Sequence, residues 1–174
     1  MNINECLTHF IGNLNQDYLD SLSDLTDEQL HFLPNDRSCH IAFHAWHFIR
    51  TEDNIINFVC QGRKPSVWAR QGLAERWGLP AVAQGTGMPL AEARVLRLPG
   101  LAPFLQYARD VRADITPYLA NASAADMESI VKVVPYGERP KLQQIVQTVL
   151  AHGNRHLGQI LVLRAMQGLG SETS

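Results

Sequence analysis

The chain has 174 residues, enough for one domain with a sizeable core, and its 45% hydrophobic and 18% charged residues are ordinary globular composition. A formal net charge of −2 leaves no basic excess to neutralise phosphates, which argues against a nucleic-acid partner. No apolar run approaches the ~20 residues that span a bilayer, and the opening MNINECLTHF lacks the basic region and apolar segment of a secretory signal, so a cytoplasmic protein with no membrane partner is expected.

Four segments carry helical periodicity. The first runs from Ile3 to Leu22, with Leu7, Phe10, Ile11, Leu14, Tyr18 and Leu22 along one side. A polar connector follows, with one turn of helix near Asp27–Leu30. Ser38 is a good N-cap for the second helix, which should extend to about Cys60 and stop at Gly62 and Pro65. Residues 61–100 are rich in Gly and Pro yet contain Trp68 and Trp77. A flexible linker would be poor in tryptophan, so this stretch reads as an ordered crossover with short helices near Val67–Arg70 and Leu90–Ala93. The third long helix covers Leu101 to Ala120, with Pro103 in its first turn and Pro117 kinking or fraying its end. Ile130 to Val134 is a β-branched run broken by Pro135, an extended segment too short to imply a sheet. The fourth helix spans Lys141 to Gln167 and ends at Gly168. Cys6, Cys39 and Cys60 are odd in number, form no CxxC pair and read as reduced thiols.

The histidines of HIAFHAWH and HGNRH carry the functional signal. A helix turns about 100° per residue. With His40 at the origin, His44 lies at ~40°, His47 at ~340°, Thr51 at ~20° and Ile55 at ~60°, and Phe58 returns to the origin. The histidines therefore share a stripe with Ile55 and Phe58 and should face inward. On the fourth helix, with His152 at the origin, His156 lies at ~40°, Ile145 and Leu163 at ~20° and Val149 at ~60°. Histidines at i and i+4 stack on one face, the spacing with which two imidazoles bind one ion, although the Glu of HExxH is absent. A lone inward histidine is usually a hydrogen-bonded core residue. Two inward clusters on two helices of a bundle suit a shared metal site built from facing helices.

IAFHAWHFIRTED resembles the second-helix motif of the DinB/YfiT-like superfamily, an apolar helix with Trp-His followed by apolar and acidic residues. HGNRHLGQILVLRAMQGLG is similar to its last-helix motif, HxxxH followed by Gly-Gln, apolar residues, an Arg and a terminal Gly. The crossover QGRKPSVWARQGLAERWGLP also resembles one branch of that superfamily. The resemblance covers nearly the whole chain and implies an all-α four-helix bundle with a long crossover between the second and third long helices. It implies a metal site of three histidines, falling here on His47, His152 and His156. His44, one turn before His47, could replace it, support it from behind or line the pocket, while His40 is expected near the pocket mouth or exposed. Three neutral imidazoles leave positions open for water or substrate. The resemblance further implies a divalent transition metal (Zn, Ni or Fe, all of which accept imidazole), a small-molecule substrate and a low-molecular-weight thiol as cosubstrate. The activity it suggests is a thiol-dependent S-transferase or a hydrolase. The competing readings are a non-catalytic metal- or ligand-binding bundle with a stress-related role, and a structural bundle whose histidines are core residues.

Arg50 and Glu52, at ~60° and ~140° from His47, are candidates to support it. Arg155 turns away at ~300° from His152 and should make a structural salt bridge. Trp46, Ile49 and Ile56 lie at ~240°, ~180° and ~160°, off the histidine stripe. A helix apolar on more than one side is either deeply buried or packed on a partner, and with the resemblance this suggests a homodimer.

Overall fold

The computed structural model describes residues 1–134 and 137–170. Helix α1 (Ile3–Leu22) starts at a reciprocal cap: the Asn2 side chain accepts from the Glu5 amide and the Glu5 carboxylate accepts from the Asn2 amide. Its inward face is Leu7, Ile11, Leu14, Tyr18 and Leu22. Phe10, expected on that face, is half exposed and packs edge-on against His9. Helix α2 is the single turn Asp27–Leu30.

Helix α3 (Ile41–Asp53) is buried on every side. Its N-cap is His40 rather than Ser38. The His40 Nδ1 accepts from the Phe43 amide at 3.0 Å, while the Ser38 hydroxyl donates to Asn35 and the Ser38 carbonyl accepts from Arg94. His40, expected near the pocket mouth or exposed, is fully buried, so exposure is ruled out. Beyond Asp53 the helix continues as a π-helical segment, Asn54–Val59. Each π-helical residue turns the chain by less than an α-helical one, so the phase drifts and Phe58, expected inward, is 44% exposed. Trp46, Ile49 and Ile56 are buried within this chain, so they offer no face to a second copy.

The crossover is ordered, as its tryptophans suggest. It contains α4 (Val67–Arg70), α5 (Leu73–Trp77) and α6 (Leu90–Val95). The Asp53 carboxylate, at the end of α3, anchors it. One oxygen accepts from the Val67 amide and Asn57, the other from the Trp68 amide and the Tyr107 hydroxyl, all at 2.9 Å. Trp46, Trp68, Trp77 and Tyr107 pack edge to face around this brace.

Helix α7 (Leu101–Asn121) runs through Pro117 to its end at Asn121, where the Ala122 amide donates to the Tyr118 carbonyl. Helix α8 (Ala124–Glu128) leads to a two-stranded hairpin, β1 (Ile130–Val133) antiparallel to β2 (Gly137–Pro140), with Ile130 opposite Pro140. The extended run expected there thus finds a partner strand; Pro135 lies outside the described residues. The last long helix is α9 (Lys141–Ile145), a π-helical segment Val146–Ala151, and α10 (His152–Met166). The four long helices form the bundle, with α1 against α7 and α10, and α3 between α10 and α7. No helix among the described residues is long and apolar enough to cross a membrane.

Candidate metal centre

His47 sits mid-way along α3, and His152 and His156 occupy the first turn and a half of α10 on the facing helix. The helices approach closely because the residue after His152 is glycine. A Cβ on Gly153 would lie 2.4 Å from a Phe48 ring carbon and 2.7 Å from Leu14 Cδ2. The Tyr18 hydroxyl, stacked beside Phe48, donates to the Gly153 carbonyl at 2.8 Å. This close approach brings three Nε2 atoms together. Those of His47 and His156 each lie 3.0 Å from that of His152, and the three residues offer ligand atoms all within 4.8 Å of one another. Nitrogens bound to one ion at ~2.0–2.1 Å are separated by roughly 2.9 Å at a right angle and roughly 3.4 Å at a tetrahedral one. The group could therefore hold a metal ion.

Two of the three outer nitrogens, those of His47 and His156, are engaged in the way ligating imidazoles require, while the buried His152 Nδ1 has no hydrogen-bond partner among the described residues. The His47 Nδ1–H donates to the Gln84 carbonyl, which leaves Nε2 as the lone-pair nitrogen. The His156 Nδ1 lies 3.1 Å from the His44 Nδ1, so His44 stands behind His156 and outside the triad. Phe43 stacks flat on His47, with ring planes within 7°. Gly85 makes the loop's approach feasible: its φ is +95°, and an added Cβ would sit 3.0 Å from the His47 Nδ1 and 3.2 Å from the Phe43 ring. Burial, followed by the charge of neighbouring imidazoles, holds His44 and His152 at about 4 and His156 at about 3. Burial also lowers His47, against the pull of the Gln84 carbonyl. All four rings are neutral at neutral pH, the form that ligates.

Other polar residues have duties elsewhere. His31 bonds to the Asp27 carbonyl and the Leu98 amide, and His9 to Asn13. The Arg50 guanidinium lies over the Trp68 ring at 4.6 Å and reaches the Ala81 carbonyl, away from the histidines. Glu52 is wholly buried and accepts from Asn15. Arg155 is exposed and makes no ion pair among the described residues, in place of the salt bridge expected. Gln84, Gly85 and Phe43 escaped the sequence reading. A backbone carbonyl carries no residue-specific signal, and Gly85 is one glycine in a glycine-rich stretch.

Fold and site together define a four-helix bundle with a histidine triad suited to a metal ion between its second and last long helices. A family model of the DinB superfamily matches residues 13–160, and the chain belongs to that superfamily. A crystal structure of a conserved protein from Enterococcus faecalis has the same fold, with a TM-score of 0.81 at 15% identity over 95% of this chain and 97% of that one. No curated protein matches in sequence.

Proposed function

We propose that His47, His152 and His156 jointly hold one divalent transition metal, Zn, Ni or Fe, and that the protein is a metal-dependent S-transferase joining a low-molecular-weight thiol to a small molecule. The convergence of three neutral Nε2 atoms carries this reading. Such an ion supplies Lewis acidity, so that a thiol or water brought to it ionises near neutral pH. The chain's own residues do the rest. The Gln84 carbonyl fixes the His47 tautomer, His44 orients His156, and Phe43 keeps water off the His47 ring. The adjoining cleft is lined by no carboxylate among the described residues, and its only titratable side chains are His152, Arg139 and Arg155. With no carboxylate among those lining residues, ionisation of the nucleophile would fall to the ion.

The first test is metal content and titration of purified variants. His47→Ala, His152→Ala and His156→Ala should each lower affinity at least a hundredfold, His44→Ala by less, and His9→Ala and His31→Ala not at all. Unchanged affinity in all three triad variants would end the proposal. The absence of a carboxylate among the described lining residues also suits the alternative, a non-catalytic metal- or ligand-binding bundle with a stress-related role. A metal-loaded protein that binds thiols but conjugates none of a panel of electrophiles would favour it.

A further inference from the structure

A cleft of about 540 Å³ opens beside the triad, within the usual range for a small-molecule site. It is walled by α3, the crossover loop around Gln84, the hairpin and the segment leading into α10. His152 belongs both to the cleft wall and to the triad, and Gln84, which holds His47, lines the cleft too. Both π-helical segments contribute: Asn54 and Ile55 from one, Gln147 and Thr148 from the other. Such interruptions of the helical ladder are frequent at functional sites.

The charge of the cleft runs against that of the chain. Acidic residues outnumber Lys and Arg by 17 to 15 overall, yet the charged residues lining this cleft are two arginines, with no Asp or Glu among its described residues. Arg155 comes from α10, between the two triad histidines. Arg139 comes from β2 on the hairpin side and donates to the Gln147 side chain, which ties it to the cleft wall. A guanidinium offers a planar fork of donors that matches a carboxylate. Phosphate sites, in contrast, commonly add a free helix N-terminus. Here α10 continues from the π-helical segment without a break, so it offers the cleft no free N-terminus.

We infer that this cleft is a carboxylate subsite, and that the small molecule taken beside the triad is an organic anion whose carboxylate lies against Arg155 and Arg139. The inference rests on the metal reading only for the role of the neighbouring triad. Ile55 and Val82 offer the anion's body apolar contact in the same cleft, whose wall His152 shares.

Calorimetric titration with succinate, its neutral diamide succinamide, and inorganic phosphate tests it, on zinc-loaded and metal-free protein. Succinate should bind both forms, succinamide neither, and phosphate at least tenfold more weakly than succinate. Arg155→Gln, at an exposed position, should weaken succinate at least tenfold while leaving zinc content and helical circular dichroism unchanged. Arg139→Gln should act in the same direction. No succinate binding by the parent protein, parental affinity in both arginine variants, or phosphate binding as tight as succinate would each overturn the inference. If the parent holds no zinc yet binds succinate with arginine dependence, the metal reading fails and this one stands. If zinc is held and succinate binds only through it, the reverse is true.

Discussion

The glycine between the two histidines of α10 gives a sharp test of how the site is assembled. Gly153→Ala would place a methyl group 2.4 and 2.8 Å from two Phe48 ring carbons and 2.7 Å from Leu14 Cδ2, where carbon atoms sit comfortably at ~3.5–4.0 Å. Phe48 is fully buried and stacked on Tyr18 at 4.4 Å, and Leu14 is 3% exposed, so neither has room to yield. Backing α10 away instead stretches the Tyr18 bond to the Gly153 carbonyl. Overpacking of this kind costs about 1–3 kcal/mol, and the size of the clash points to the upper end. The opposing term is the helix propensity of Ala over Gly, ~0.8–1.0 kcal/mol. The net expectation is a loss of ~2 kcal/mol, a fall in Tm of roughly 4–8 °C for a chain of this size. Gly158, in the same helix, has nothing within 4 Å of a built Cβ. Gly158→Ala should therefore stabilise by up to ~1 kcal/mol. Urea unfolding of both metal-free variants gives the comparison, and zinc titration a second readout, since moving α10 off α3 separates His152 from His47. A Gly153→Ala protein as stable as Gly158→Ala, with parental zinc affinity, would refute the close approach as the basis of the site.

Gly85→Ala should cost about 1–2 kcal/mol from its positive φ and weaken zinc about tenfold by pushing the Gln84 loop off His47; equilibrium unfolding and zinc titration check both, and unchanged values contradict the assigned contact. Burial raises the Glu52 carboxyl to about 8 from 4.5, only partly offset by the Asn15 hydrogen bond. The folded chain thus keeps a proton that the unfolded chain releases between those values, and stability declines as pH rises across that window. Glu52→Gln should then gain on the parent as pH rises through that window, and urea midpoints that keep a constant gap would disprove it. For the histidines the sign is opposite: His44, His152 and His156 have folded values below 6.5, so the unfolded chain binds more protons and the metal-free protein should lose stability as pH falls from 6.5 to about 4. Flat unfolding midpoints across that window would show the rings to be solvated.

The long helices were legible because their apolar spacing and end signals agree. Ile3–Leu22 matches the observed α1 at both ends, and Leu101 to Ala120 misses by one residue. The errors cluster where the turn per residue departs from the α-helical value or where a local bond competes. Phe58 turned outward because a π-helical segment intervenes. Ser38 lost the cap to His40 because its hydroxyl and carbonyl were taken by Asn35 and Arg94. For the triad, the i,i+4 spacing in HGNRH placed two imidazoles on one face, but spacing on α3 left His40, His44 and His47 all inward. The Trp-His motif of the family favoured His47, and in the structure a carbonyl from residue 84 holds it, a long-range contact invisible to periodicity.

A bundle that buries four imidazoles around one point spends desolvation free energy to keep them neutral, and a hydrophobic core would be simpler. His44, His152 and His156 are each depressed first by burial and then by their neighbours, because a proton on one opposes a proton on the next. The Nε2 atoms of His47 and His156 both face that of His152, and at most one N–H can lie in each contact. Ordinary core histidines avoid this conflict by pairing a donor with an acceptor, as His31 does between the Asp27 carbonyl and the Leu98 amide. In the triad two outer nitrogens are supplied with partners, Gln84 for His47 and His44 for His156, while the inner nitrogens are turned on one another. That arrangement wastes hydrogen-bonding capacity unless a shared electron-pair acceptor sits between them, and a cation satisfies three lone pairs at once where protons cannot.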